Sequence, residues 1–402
     1  MSHPARTTDL PSQSLASELA QRTHKFVTET IIPYERDERV TPHGPTDELV
    51  AEMRAQARLA GLLAPQVARE WGGYGLTHRE TGMVLRASGY SVLGPTAMNC
   101  MAPDEGNMYL LHKVATREQQ ERYLVPLASG HSRSAFLMTE PDGGAGSDPS
   151  MLQTTAHEAG DHWVINGRKW LITGAPGSTF GIIMARTGDA ATMFLADMNS
   201  PGVVTERVLN TLDGSMAGGH AVVALNDVRV HRDMVLGEVN EGFRYAQVRL
   251  APARLTHCMR WWGAAQRAHD VAVAYACTRK AFGKSLIDHE GVGFMLARNV
   301  CDLKQTELLM DYAADKLDQG EKALTESSMA KYSCGELLYE VVDRCVQVLG
   351  GLGITDETPV AQILKELRAF RIYDGPSEVH LYSLAKRIGV AWRKERGLPV
   401  GG

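Results

Sequence analysis

Asp374 stands in the stretch Arg368 to Leu381, RAFRIYDGPSEVHL, between an aromatic residue and a Gly-Pro pair. Among Ile372, Tyr373 and Leu381 a carboxylate would lose part of its water. Desolvation raises a carboxyl's pKa and makes it a usable proton acceptor near neutral pH. Gly375-Pro376 separates two helix-like segments, and a helix that stops there leaves backbone N–H groups free to face a ligand. Alone, an Asp-Gly pair is most often an ordinary turn. Its weight depends on four other motifs.

Met138-Thr139-Glu140-Pro141 runs on into Gly144-Ala145-Gly146-Ser147-Asp148. Small residues there leave backbone N–H groups uncovered, as a phosphate or a flavin edge requires. A polar surface loop is the plainer alternative. Lys169 to Gly174, KWLITG, ends a strand on Thr173, whose hydroxyl can donate to a ring nitrogen. The plainer alternative is a buried strand with one Thr facing solvent. Arg279-Lys280-Ala281-Phe282-Gly283-Lys284 offers a guanidinium for pyrophosphate beside an aromatic ring, or merely a solvated helix end. Gln347 to Gly353, QVLGGLG, holds three glycines in four residues, where a plain helix cap needs one.

Three textures along the chain would position these motifs. Residues 1–135 read as an N-terminal helical domain. Leu49, Met53, Ala57 and Ala60 recur at helical spacing before Gly61, and Thr116 with Gln119 forms a capping box. Residues 136–242 read as a β domain, a barrel or sandwich. Trp163 to Ile172 with Asn166-Gly167 at its centre predicts a β-hairpin with a type I′ turn. Gly181 to Arg186, Thr192 to Met198 and His220 to Val230 are further strands. Residues 243–402 read as a C-terminal four-helix bundle. Phe294, Ala297, Cys301, Lys304 and Leu308 follow one helix face there, and Gly320, Gly350-Gly351 and Gly375-Pro376 mark the breaks. The class is α+β.

Composition narrows the function. The 402 residues are 44% hydrophobic and 22% charged, with a net charge of −5 and no cluster of Lys and Arg. That argues against a nucleic-acid groove or a polybasic membrane patch. No apolar run reaches the ~18 residues of a membrane span. The six cysteines include no CxxC pair and no Cys/His cluster of zinc spacing, so they read as reduced thiols and no metal is expected. The N-terminal MSHPARTTDLPSQSL lacks an apolar signal core, which makes a cytoplasmic location the expectation. No GxGxxG follows a strand, which argues against a Rossmann dinucleotide site.

All five motifs in this order resemble the acyl-CoA dehydrogenase family of flavoenzymes over essentially the whole chain. The likeness is strongest to the subgroup that larger animal members carry behind a kinase-like domain. It is borne by Ala102-Pro103-Asp104 with Gly106-Asn107-Met108, by Met138 to Pro141, by Pro252 to Met259 (PARLTHCM) and by Asp374 to His380 (DGPSEVH). The resemblance implies FAD as cofactor and an acyl-CoA as substrate. It further implies an electron-transfer flavoprotein as acceptor and a homodimer or homotetramer. Met138, Thr139 and Ser147 match positions lining the flavin ring and pyrophosphate. Thr173 matches the hydroxyl that bonds flavin N5. Arg279, Phe282, Gln347 and Gly351 match residues reaching the FAD of a neighbouring subunit. Ser377 and Glu378 match the turn beside the FAD phosphates and adenosine. Arg254 matches a basic residue near the acyl-CoA, Gly375 lies in the turn that meets it, and Asp374 sits where the family places its base.

Four departures stand out. The base is Asp where many members have Glu. Leu171 aligns where most members put a Trp over the flavin, and Trp170 precedes it. The loop after Pro141 is longer than in compact members, and Pro376 replaces a common Thr. Two rivals remain: a flavin oxidase on the same fold, acting on an acyl-CoA or a nitroalkane, and a non-catalytic flavoprotein that binds nucleic acid or a protein.

Overall fold

The computed structural model describes residues 14–399. The N-terminal stretch read for a signal therefore lies, up to residue 13, outside the described residues. Helices α1 (Leu15–Phe26), α2 (Asp47–Leu59), α3 (His78–Ser88) and α4 (Asp104–Val114) come first. Thr46 caps α2 by accepting from the Leu49 N–H, and Leu49, Met53 and Ala57 form its buried stripe. The Thr116–Gln119 capping box forms as the sequence predicts, and its helix continues as a π-helical turn, Gln120–Leu124.

Seven strands follow: β1 (Ser134–Leu137), β2 (Thr155–Ala159), β3 (His162–Thr173), β4 (Phe180–Thr187), β5 (Ala190–Asp197), β6 (Val203–Leu209) and β7 (His220–His231). They form one curled sheet in the order β1-β4-β2-β3-β7-β6, with β5 also pairing β4.

The expected hairpin at Asn166-Gly167 is not there. Both residues lie inside the single strand β3, and the register against β7 slips between Ile165 and Gly167. The pair forms a bulge. Asn166 Nδ2 donates to Asp227 Oδ1 (2.9 Å) and Asn166 Oδ1 accepts from the Asp227 N–H (2.9 Å). Gly167 has φ 159, and a Cβ there would sit 2.3 Å from Thr154 Oγ1. Close approach of β2's entry, not a turn, requires this glycine. The hairpin that does form joins β2 to β3 through Gly160-Asp161.

Helices α5 (Gly242–Thr278), α6 (Glu290–Asp318), α7 (Leu324–Leu349), α8 (Val360–Phe370) and α9 (Ser377–Glu395) complete the chain. One apolar core joins α1–α3 to α5–α8, and a second fills the curl of the sheet. On α6 the row Phe294, Ala297, Cys301, Lys304 and Leu308 faces solvent, while Leu296, Asn299, Leu303 and Met310 face the bundle. Four cysteines are buried, Cys277 and Cys301 are exposed, and none is paired. No helix among the described residues is long and apolar enough to cross a membrane.

Candidate active site

Asp374 occupies the turn between α8 and α9 with φ 55. Asp is one of the few non-glycine residues that enter this left-handed region readily. Gly375 follows at φ 98, and a Cβ on it would come within 2.8 Å of His380 Nε2. Three cationic or imidazole side chains hold the turn by its carbonyls. Arg254 Nε donates to the Asp374 carbonyl (3.1 Å), and His380 Nε2 reaches the same oxygen at 3.3 Å. Lys331 Nζ donates to Phe370 O (2.8 Å) and to Gly375 O (3.4 Å). The Asp374 N–H has no partner among the described residues.

The Asp374 side chain is 21% exposed, and its Oδ2 accepts from His257 Nε2 at 3.2 Å. Oδ1 has no partner among the described residues and is the oxygen left to take a proton. Sequence reasoning expected burial to raise this carboxyl's pKa, and here the structure overturns it. Burial does push it up, but the His257 hydrogen bond and the positive charges of Arg249 and Arg254 outweigh burial. Asp374 is held well below the usual carboxylate range. His257 is itself pushed down by burial and by Arg260, so near neutral pH it is a neutral Nε2–H donor. Its buried Nδ1, the acceptor nitrogen in that tautomer, has no partner among the described residues.

The second half of the site is the loop after β1 and the end of β3. Thr139 Oγ1 donates to Trp170 O (2.5 Å), and the Trp170 N–H donates to Thr139 O (2.9 Å). Beneath them Glu140 and Lys169 form a buried ion pair of 3.0 Å. Glu140 also accepts from the backbone N–H groups of Ala145 (3.3 Å), Gln153 (2.6 Å) and Thr154 (2.8 Å). Lys169 Nζ donates to Met184 O (2.7 Å) as well. Burial lowers Lys169 to about 8 against the pull of Glu140. Burial opposes the ionised form of Glu140 too, but Lys169 and the N–H donors bring its pKa to about 2.

Past Lys169 the β3–β7 register slips again, and Leu171 takes φ 55. Ile172 points into the core; Leu171, 46% exposed, and half-buried Thr173 point out of the sheet. Thr173 Oγ1 lies 2.9 Å from His220 Nδ1, its partner across the ladder. Met138 is half-buried and Ser147 is exposed. Ser147 lines a cavity of about 830 Å³ between its loop and α9, where Lys386, Arg387 and Lys394 contribute three cations.

These residues fit a flavin nucleotide. Hydroxyls of Thr139 and Thr173 and the side chain of Leu171 offer polar and apolar contacts for a ring, and the cationic cavity suits phosphates. Ser377 is buried and its hydroxyl donates to Glu336 of α7, so it faces protein rather than the cavity. Glu378 is exposed in the first turn of α9. Arg279, Phe282, Gln347 and Gly351 are all exposed, Phe282 to 97%, and no hydrogen bond or ion pair joins them to Asp374. The fold of the chain does not bring them to the carboxylate.

Sequence reasoning missed His257, Arg249, Lys331 and His380. Arg254 and His257 stand three residues apart on α5, which puts them on one helix face, and that spacing was legible. Arg249 carries no such signal. It donates from Nε to Asn107 Oδ1 (2.8 Å) and lies 4.1 Å from the Phe136 ring.

Sequence models described as the N-terminal, middle and C-terminal domains of acyl-CoA dehydrogenase match residues 15–131, 135–228 and 240–389. The Mycobacterium tuberculosis protein named "Probable acyl-CoA dehydrogenase FadE2" is 36% identical over 94% of this chain and 96% of its own. Acyl-CoA dehydrogenase family member 11 of Gallus gallus is 34% identical over 92% of this chain, which spans about half (50%) of that relative. A glutaryl-CoA dehydrogenase of Mycobacterium smegmatis, solved with FADH2, shares the fold at a TM-score of 0.85 and 24% identity over 94% of this chain and 95% of its own. With helices, curled sheet and helices in this order, and three domain models and a full-length relative agreeing, the chain belongs to the acyl-CoA dehydrogenase family.

Proposed function

We propose that this chain oxidises an acyl-CoA thioester to the trans-2-enoyl-CoA with bound FAD, Asp374 serving as the base. The observation that carries the reading is the turn at Asp374. It presents a carboxylate oxygen and a backbone N–H from one residue, between α8 and α9, both without a partner among the described residues. Asp374 Oδ1 takes the α-proton. The Asp374 N–H donates to the thioester oxygen as charge grows there, and losing one such donor costs ~10²–10³ in rate. FAD, when bound, supplies the two-electron acceptor that takes the β-hydrogen as hydride. Thr139, Thr173 and Met138 would hold its ring, and Ser147 with the cations of α9 would meet the nucleotide phosphates. Arg254 steadies the turn and, with Gly375, meets the substrate.

The weak basicity of Asp374 is matched to a polarised substrate, because only a thioester whose oxygen is hydrogen-bonded has an acidic enough α-carbon. That same weak basicity favours a second reading, an oxidase acting on a more acidic carbon such as that of a nitroalkane. The protein works as a homodimer or homotetramer in which Arg279, Phe282, Gln347 and Gly351 reach a neighbour's FAD, with Glu378 and the Ser377 backbone near the adenosine. An electron-transfer flavoprotein is the acceptor. The three units are residues 1–135, 136–242 and 243–402.

Anaerobic titration with a panel of acyl-CoAs tests this through flavin absorbance. Bleaching by a thioester, slow to recover in air, supports the dehydrogenase. Rapid recovery with peroxide turns the reading to an oxidase, and no bleaching by any thioester with FAD bound sinks acyl-CoA oxidation.

A further inference from the structure

Thr173 is the first member of a chain of three side chains. Its Oγ1 meets His220 Nδ1 at 2.9 Å, and His220 Nε2 meets Asp213 Oδ2 at 2.8 Å. His220 and Asp213 are both buried. Asp213 belongs to the loop between β6 and β7, and buried Glu366 of α8 fastens that loop. Glu366 Oε1 accepts from the Gly214 N–H (2.9 Å) and Oε2 from Ser215 Oγ (2.8 Å). Arg133 Nη1 donates to Ala217 O (2.8 Å) in the same loop. The triplet is thus a built arrangement, held from β3, β7, α8 and the strand β1 entry.

Counting protons fixes its polarity. An ionised carboxylate only accepts, so His220 Nε2 must carry the proton. An imidazole whose single N–H sits on Nε2 accepts at Nδ1, and the Thr173 hydroxyl then donates to it. Thr173 then has only lone pairs to offer outward, the reverse of the donor role its sequence position implies. Oxidised flavin N5 has a lone pair and no hydrogen; reduced flavin N5 carries a hydrogen. We infer that Asp213 and His220 are positioning residues that aim the Thr173 hydroxyl away from the flavin, so that Thr173 accepts from N5–H and favours reduced FAD. This rests on the reading that places Thr173 beside the flavin ring. No proton or electron moves along the triplet; it sets only the direction of its hydrogen bonds.

The test is the flavin midpoint potential of the purified holoenzyme and of the variants Asp213→Asn, His220→Leu and Thr173→Ala. Asp213→Asn offers an Nδ2 donor to His220 Nε2, and that arrangement turns the chain round so that Thr173 donates outward. In that variant the reduced flavin should lose about tenfold in its equilibrium with the oxidised form, about 30 mV for a two-electron couple. His220→Leu should shift the potential the same way, and Thr173→Ala combined with either should add little to Thr173→Ala alone. If Thr173→Ala shifts the potential but neither Asp213→Asn nor His220→Leu does, or if either raises it, the inference is overturned while the site reading stands. If Thr173→Ala leaves the potential unmoved with FAD bound, Thr173 does not face the ring and the site reading fails with it. Should His220→Leu not fold, Asp213→Asn decides alone.

Discussion

At the residue scale, the backbone explains why the proposed base is an aspartate. With φ 55 at position 374, Asp and Asn are tolerated where Glu is strained. Asp374→Asn therefore keeps the turn and removes the charge. Such an enzyme is expected to retain yellow FAD and lose bleaching by acyl-CoA, measured anaerobically against the parent. Gly375→Ala, at φ 98 and against His380, should cost about 1–3 kcal/mol in denaturant unfolding. His257→Leu removes a donor that lowers the Asp374 pKa. The acid limb of the pH profile for flavin reduction should then move to higher pH. The sign follows from stability too: a depressed carboxyl contributes stability above its unfolded pKa and loses it as pH falls, and that contribution shrinks without His257. An unmoved acid limb would mean that the limb belongs to another group.

Between elements, the Glu140–Lys169 pair is the joint of the site, linking the loop after β1 to β3 and β4. Both side chains are essentially inaccessible, at 2% and 0% exposure. Glu140→Gln leaves Lys169 buried without a counter-charge, which typically costs ~3–5 kcal/mol. Because Glu140 is lowered to about 2, the parent should lose part of its stability as pH falls from about 4.5 toward 2. The variant should lack that component in acid unfolding curves. This joint is hidden in the sequence: Glu140 reads only as part of a loop motif, and its partner lies 29 residues on, in strand β3. The Asn166-Gly167 bulge was misread for a related reason. A type I′ turn and a bulge call for the same residue types, and only the ladder with β7 decides between them. Local periodicity did better where burial is local, as along α2 and in β4, β5 and β7. Motifs singled out Asp374, Thr139 and Thr173 as candidates, but not the buried cations around Asp374, whose positions depend on how α5 and α7 pack.

For the whole molecule, the 97% exposed Phe282 sits on a tight turn, with positive φ at Phe282 and Gly283, aimed outward. An aromatic side chain so presented gains nothing within its own protomer beyond an edge contact with His289, 6.2 Å between ring centroids. Phe282→Asp should weaken subunit association and FAD retention together, read by sedimentation and by flavin-to-protein absorbance ratio. Loss of one without the other would separate the neighbour's flavin from this surface. The solvent-facing row of α6 lies in the same helical bundle and leaves unchanged the helix-sheet-helix order that composition and turn signals had outlined.

The loop that carries Thr139 and Ser147 is fastened from within by four donors to Glu140 and from the side by Trp170. Its ordering belongs to folding, so no entropy of loop closure remains to oppose the arrival of a ligand. Uptake of FAD by the stripped protein should therefore follow the collision frequency. The observed rate should climb in proportion to FAD concentration, without the plateau that a slow loop rearrangement would impose.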